Sequence, residues 1–171
     1  MANTYELISS VTVGAGGASS IDFTSIPATY TDLCVKASLR QDVAYANASI
    51  RFNSDSGSNY STRLVRGDGS ATASSTQSGT SADLFPIANR STYTANTFAN
   101  GEVYIPNYTA AVNKSFSADA VNENNATAAD AALKAGLWSS TATISSITLL
   151  PDTGAKFVQY STAYLYGIKN S

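Results

Sequence analysis

From residue 32 to residue 40 the side chains alternate without a break. Leu33, Val35, Ala37 and Leu39 share one side, and Cys34, Lys36, Ser38 and Arg40 share the other. A period of two places one side of a strand on a core and leaves the other mixed. The same pattern predicts strands over residues 4–13, with a slip in phase at Ser9-Ser10, and over 21–23, 48–53 and 60–65. Residues 101–121 read as two strands joined by a polar turn. In the first, Val103 and Ile105 oppose Glu102 and Tyr104, and Pro106, which has no N–H to donate, marks the exit from the strand or a sheet edge. In the second, Phe116, Ala118 and Ala120 share a face, and Lys114, Ser115, Ser117 and Asp119 dilute the run with polar groups.

Residues 128–135 are rich in alanine and have helical propensity, so one helical turn and a strand are both open. The strands on either side favour a strand ending at Gly136-Leu137-Trp138. Residues 141–150 form a further strand after one phase slip. Residues 157–169 form the last, with Val158, Tyr160, Thr162, Tyr164 and Tyr166 on one face. Between these runs lie turn residues: Gly14-Ala15-Gly16-Gly17, the Asn/Ser/Asp stretch 53–59, Asn122-Glu123-Asn124-Asn125 and Pro151-Asp152-Thr153-Gly154. Residues 70–82 hold neither a charge nor a large apolar side chain, which predicts an exposed low-complexity loop or arm. About eight to ten strands at this spacing predict an all-β chain. A single antiparallel β-sandwich over residues 1–171, jelly-roll-like, is the expected fold.

Composition changes this picture in one respect. Only 13% of the residues are charged and the net charge is −2, whereas ten are tyrosine. A free domain of this size carries more surface charge, so the balance points to a protein that buries surface in an assembly. Cys34, the single cysteine, is expected as a buried free thiol within its apolar strand. The first residues lack the basic start and apolar run of a secretory signal, and no apolar run is long enough to span a membrane.

The chemistry available is narrow. With no histidine, the chain has no Ser-His-Asp or Cys-His triad and none of the usual zinc ligand sets. A glycosidase needs two carboxylates, for which Asp119 and Glu123 are the nearest candidates, but two solvated turn residues are the simpler reading. The run Asn53-Ser54-Asp55-Ser56-Gly57 has the look of a calcium loop without its closing glutamate. The glycine turn at 14–17 is followed by no helix, so it is no nucleotide fingerprint. Ten scattered basic residues under a negative net charge disfavour nucleic acid. Arg66-Gly67-Asp68 is a cell-adhesion tripeptide whose plainer reading is a charged turn closing a strand. No catalytic residue, metal or cofactor is expected.

Several stretches together carry a resemblance: residues 1–8 and 21–33, Arg51-Phe52-Asn53 with Asn59-Tyr60-Ser61, Tyr104-Ile105-Pro106-Asn107-Tyr108, and the closing run 159–168. They resemble a group of small structural proteins of tailed bacteriophages, especially aquatic ones, along nearly the whole chain. The resemblance implies a non-enzymatic virion component made in the host bacterial cytoplasm. It would be a capsid cement or decoration protein bound to the major capsid protein as a dimer or trimer, or a tail, baseplate or fibre subunit with a receptor- or glycan-binding surface. Contacts with neighbours are expected from Ser74, Thr76 and Gln77 in the arm and from Tyr104, Tyr108, Tyr164 and Tyr166. Nucleic acid and membrane are not expected partners.

Overall fold

The structure is a computed structural model that describes residues 4–45, 47–125 and 129–169. In chain order the strands are β1 (Tyr5–Thr12), β2 (Ile21–Phe23), β3 (Asp32–Arg40), β4 (Ser49–Phe52), β5 (Tyr60–Gly67), β6 (Thr72–Gly79) and β7 (Ala82–Asp83). They continue with β8 (Ala88–Asn89), β9 (Ala99–Ile105), β10 (Lys114–Asn122), β11 (Asp130–Trp138), β12 (Ile147–Leu150) and β13 (Thr162–Ile168). Among the described residues there are thirteen strands and no helix. Two of these strands, β7 and β8, have only two residues, too short for a period to show in the sequence.

Two sheets face each other, as an antiparallel β-sandwich requires. The larger runs β1-β13-β3-β9-β10-β11-β5-β6, with β8 added beside β3 in a two-residue parallel pairing. The smaller runs β2-β12-β4-β7. Leu33, Val35, Val103, Ile105, Phe116, Ala163 and Leu165 from the large sheet pack against Ile21, Phe23, Ile50, Phe52, Ile147 and Leu149 from the small one. Each set comes from alternate positions, so period two in the sequence becomes one shared core. Phe52 stands at its aromatic centre, with the rings of Phe116 at 5.5 Å and Trp138 at 5.6 Å.

Local chemistry fixes the connections. Asn53 and Ser54 take positive φ, and the Asp55 carboxylate accepts from the Gly57 N–H, Asn59 Nδ2 and Trp138 Nε1 at 2.7–2.9 Å. That loop is a turn stitched to the core, with its carboxylate already occupied. Gly17 closes the first turn at a φ of 67°, donating to the Gly14 carbonyl, where a Cβ would meet the Phe157 carbonyl oxygen at 3.0 Å. The slip in phase expected at Ser9-Ser10 is a bulge between Leu7 and Ser9.

Three expectations are corrected. Residues 70–78 are exposed, as expected, but the stretch 70–82 is no loop or free arm, and Ala82 is buried. Residues 72–79 are strand β6, paired along its length with β5. Backbone hydrogen bonds alone make that strand, so its side chains leave no apolar signature. Lys114 lies on the inner side of β10 with Phe116, 1% exposed, and donates to the Ala110 and Val112 carbonyls at 2.7 and 2.6 Å. The last strand begins at Thr162, not at 157. Phe157 makes isolated bridges to Ala18 and Gln41, and Tyr160 takes a φ of 72°, which breaks the extended run. Residues 126–128, which include the first alanine of the run read from the sequence as a strand, lie outside the described residues.

Candidate functional site

The inner face of the large sheet is covered by the small sheet, and its outer face is not. Strand register sets what that outer face carries. One row crosses it from Tyr164 to Lys36, Glu102, Asp119, Leu133, Val65 and Ser74, each opposite the next on the neighbouring strand. A second row runs Leu7, Tyr166, Cys34, Tyr104, Ser117, Ala135, Arg63 and Thr76. The surface is therefore graded. It is aromatic at the β1–β13 end, charged over β3, β9 and β10, apolar around Leu133 of β11 and Val65 of β5, and hydroxyl-lined at β6.

Its apolar content is concentrated. Nine large hydrophobic side chains are exposed on the described chain, and six of them, Tyr5, Leu7, Val65, Val121, Leu133 and Tyr164, lie on this face. Single exposed hydrophobics are ordinary, but a cluster on one sheet face marks a contact surface. Shallow depressions interrupt the face. One of about 440 Å³ is lined by Lys36, Asn100, Glu102, Asp119, Tyr164 and Tyr166 among others. Another of about 430 Å³ lies between Arg63, Val65, Ser117 and Leu133.

Lys36 neutralises one of the two carboxylates in the middle of the row. Lys36 Nζ meets Glu102 Oε2 at 2.7 Å, and this hydrogen bond, with the attraction behind it, holds the lysine above its ordinary pKa. Asp119 stands opposite Glu102 across the β9–β10 ladder. Beneath this layer Cys34 is fully buried, and burial, reinforced by Glu102, pushes its thiol up to about 12. A protonated, enclosed thiol is a poor nucleophile. Folded protein at neutral pH is therefore expected to leave Cys34 unmodified by a disulfide reagent that labels it fully in denaturant. Fast labelling without denaturant would contradict its burial.

The sequence-derived interaction candidates divide. Ser74, Thr76 and Gln77 are exposed on β6. Tyr164 and Tyr166 line the aromatic end of the groove, with Tyr166 edge-on to Tyr5 at 6.2 Å. Tyr104 belongs to the same face, but its hydroxyl donates to Asp32 Oδ2 at 2.8 Å, and that bond holds the phenol up to about 12. Tyr108 is the correction. It is wholly buried, donates to the Pro27 carbonyl and accepts from the Tyr30 N–H, so it anchors the turn after β9 and offers no contact surface.

The other sequence motifs resolve into structure. Arg66 is bound to Asp130 and lies over the Phe85 ring, and the Asp68 carboxylate accepts from the Ser70 and Ala71 N–H groups, which holds it down to about 2. Asp68 thus closes the β5–β6 hairpin, and Arg66 ties β5 to Asp130 of β11. Glu123 accepts from the Asn125 N–H at 2.6 Å, four residues beyond Asp119, or about 13 Å along an extended chain. Paired glycosidase carboxylates stand closer, at roughly 5–9.5 Å. Among the described residues no group of three or more metal-ligating side chains comes together, and no helix is long and apolar enough to cross a membrane.

Sequence reasoning missed Lys36, Glu102, Asp119, Leu133 and Val65 as members of one surface. Each had been placed on a strand, but only long-range register aligns five strands into a row. No family model, curated protein or solved structure matches the chain.

Proposed function

We propose that this chain is a non-enzymatic structural protein of a tailed-phage virion that binds the outer surface of the capsid shell as a cement or decoration protein. The observation that carries the reading is the gathering of six of the nine exposed large hydrophobics on the uncovered face of a nine-stranded sheet. A rigid sheet presents such a face with little ordering entropy to lose on binding, and many copies on a shell multiply a modest affinity per contact. The phage resemblance of the sequence supplies the partner, and the low charge fits a surface covered in an assembly. Particles that lack the protein are expected to assemble normally but to lose their DNA at lower temperature than complete particles. Equal heat resistance of the two would sink the cement reading.

A second reading has its own observation. Tyr164 and Tyr166 lie beside Asn100, Glu102 and Asp119 in one groove, and aromatic faces next to hydrogen-bonding side chains are how proteins hold sugars. On that reading the chain is a tail, baseplate or fibre subunit that grips a host glycan. Copy number separates the two. Hundreds of copies per virion support the shell, and a few to tens support the tail.

A further inference from the structure

Among the described residues four strands end the two sheet orders, and three of them carry a device that discourages pairing with another chain. Strand β1 has its bulge, and its Glu6 is paired to Lys169 at 2.9 Å. Strand β2 has three residues with Asp22 in the middle, and β7 has only two, one of them Asp83. Short strands, charges and bulges are the usual guards of a sheet edge.

Strand β6 has none of them. It runs Thr72-Ala73-Ser74-Ser75-Thr76-Gln77-Ser78-Gly79, without charge, proline or bulge, in unbroken register with β5. Both ends are tied down. The Asp68 carboxylate fixes the hairpin before it, and Arg51 Nε donates to the Thr80 carbonyl after it at 2.9 Å. Every second residue of a strand turns its N–H and C=O away from its partner, so β6 presents a straight, ordered row of unpaired backbone groups.

We propose that this edge pairs with β6 of a second copy of the chain, antiparallel and about a two-fold axis normal to the sheet. The occupant must itself be a free, uncharged edge strand of similar length, and this chain provides one. Self-pairing sets no like charges opposite each other. Residues opposite one another must share a face, so the axis passes through a residue and not between two. Centred on Ser75, it sets Thr72 opposite Ser78 and Ser74 opposite Thr76. Centred on Thr76, it sets Ser74 opposite Ser78. In either register the two large sheets merge into one, and the Val65 and Leu133 patches of both copies lie on the same side of it. The inference concerns the edge and is independent of the capsid reading, which concerns the face.

The test is the solution mass of the purified full chain, by light scattering across a concentration series. The expected mass is twice the 17.7 kDa of one chain. The double variant Ser74→Lys with Thr76→Lys sets lysine opposite lysine in both registers and alters only exposed side chains. Its mass is expected to fall twofold, with an unchanged circular dichroism spectrum. As a second measurement, either Ser75→Cys or Thr76→Cys is expected to oxidise to a covalent dimer, because a residue on the axis meets its own copy at disulfide distance. A wild-type mass of one chain at every concentration would overturn the proposal. So would a twofold mass that survives both lysines, or the absence of a covalent dimer from both cysteine variants.

Discussion

Asp83→Asn is expected to lower stability by roughly 3–5 kcal/mol, measured by denaturant unfolding at neutral pH. Lys134 is on the inner side of β11, its side chain 3% exposed, and its ammonium is bound to the Asp83 carboxylate of β7. This pair ties the large sheet to the edge of the small one. Burial pushes the lysine below its ordinary pKa, and Asp83 pulls it back. With asparagine in place of the carboxylate, no charge offsets the burial penalty, and the ammonium keeps its hydrogen bond to the backbone carbonyl of residue 83 at 3.1 Å. The sign of the pH dependence follows. Between the depressed folded pKa and the ordinary value near 10.4, the unfolded chain binds more protons, so stability rises with pH. The deficit of Asp83→Asn is therefore expected to shrink as pH rises from neutral toward the ordinary lysine value. Adding Lys134→Met is expected to recover most of the loss, since removing both partners of a buried pair is far less harmful than removing one. A deficit under about 1 kcal/mol would mean that the lysine reaches water after all.

Gly136→Ala is expected to cost about 3 kcal/mol, at the high end for overpacking a core. Gly136 pairs with Phe116 across the β10–β11 ladder, and the tip of the phenylalanine ring lies over it. A Cβ there would fall 2.0–2.6 Å from three ring carbons. The ring cannot retreat, because Phe52 stands edge-on to it at 5.5 Å. Gly14→Ala is the control: a Cβ at Gly14 meets nothing within 4 Å, and its effect is expected to stay within about 1 kcal/mol. Combining Gly136→Ala with Phe116→Leu is expected to cost less than the sum of the two single changes, because the smaller side chain vacates the space that the methyl group needs. Strict additivity in that cycle would show that the ring and the glycine do not share the site.

Most of the strands were legible in the sequence because one of their sides is core. Residues 32–40 and 21–23 show this plainly, with Leu33, Val35, Ile21 and Phe23 all fully or almost fully buried. Strand β11 was legible against its own helical propensity, since Ala132, Lys134, Gly136 and Trp138 point inward at period two between two long partners. What stayed hidden depends on distant partners. Strand β6 exists through its ladder with β5 and has no core side to announce it. Lys114 reads as a surface residue until two loop carbonyls close over its ammonium. Tyr108 resembles a contact tyrosine in sequence, and only the fold brings Pro27 and Tyr30 to its hydroxyl. The outer-face row was the least legible feature, because its members come from positions 36, 65, 102, 119 and 133 and meet only through four registers.

The central claim is that this outer face docks on the shell, and binding of purified variants to shells assembled without the protein tests it directly. Val65→Glu with Leu133→Glu places two charges in the apolar part of the face, whereas Tyr45→Glu and Val112→Glu change equally exposed side chains on loops. The face variant is expected to bind at least about a hundredfold more weakly than wild type, the effect of losing roughly 2.7 kcal/mol at an interface centre. The loop variants are expected to bind as wild type does. Wild-type binding by the face variant would contradict the account.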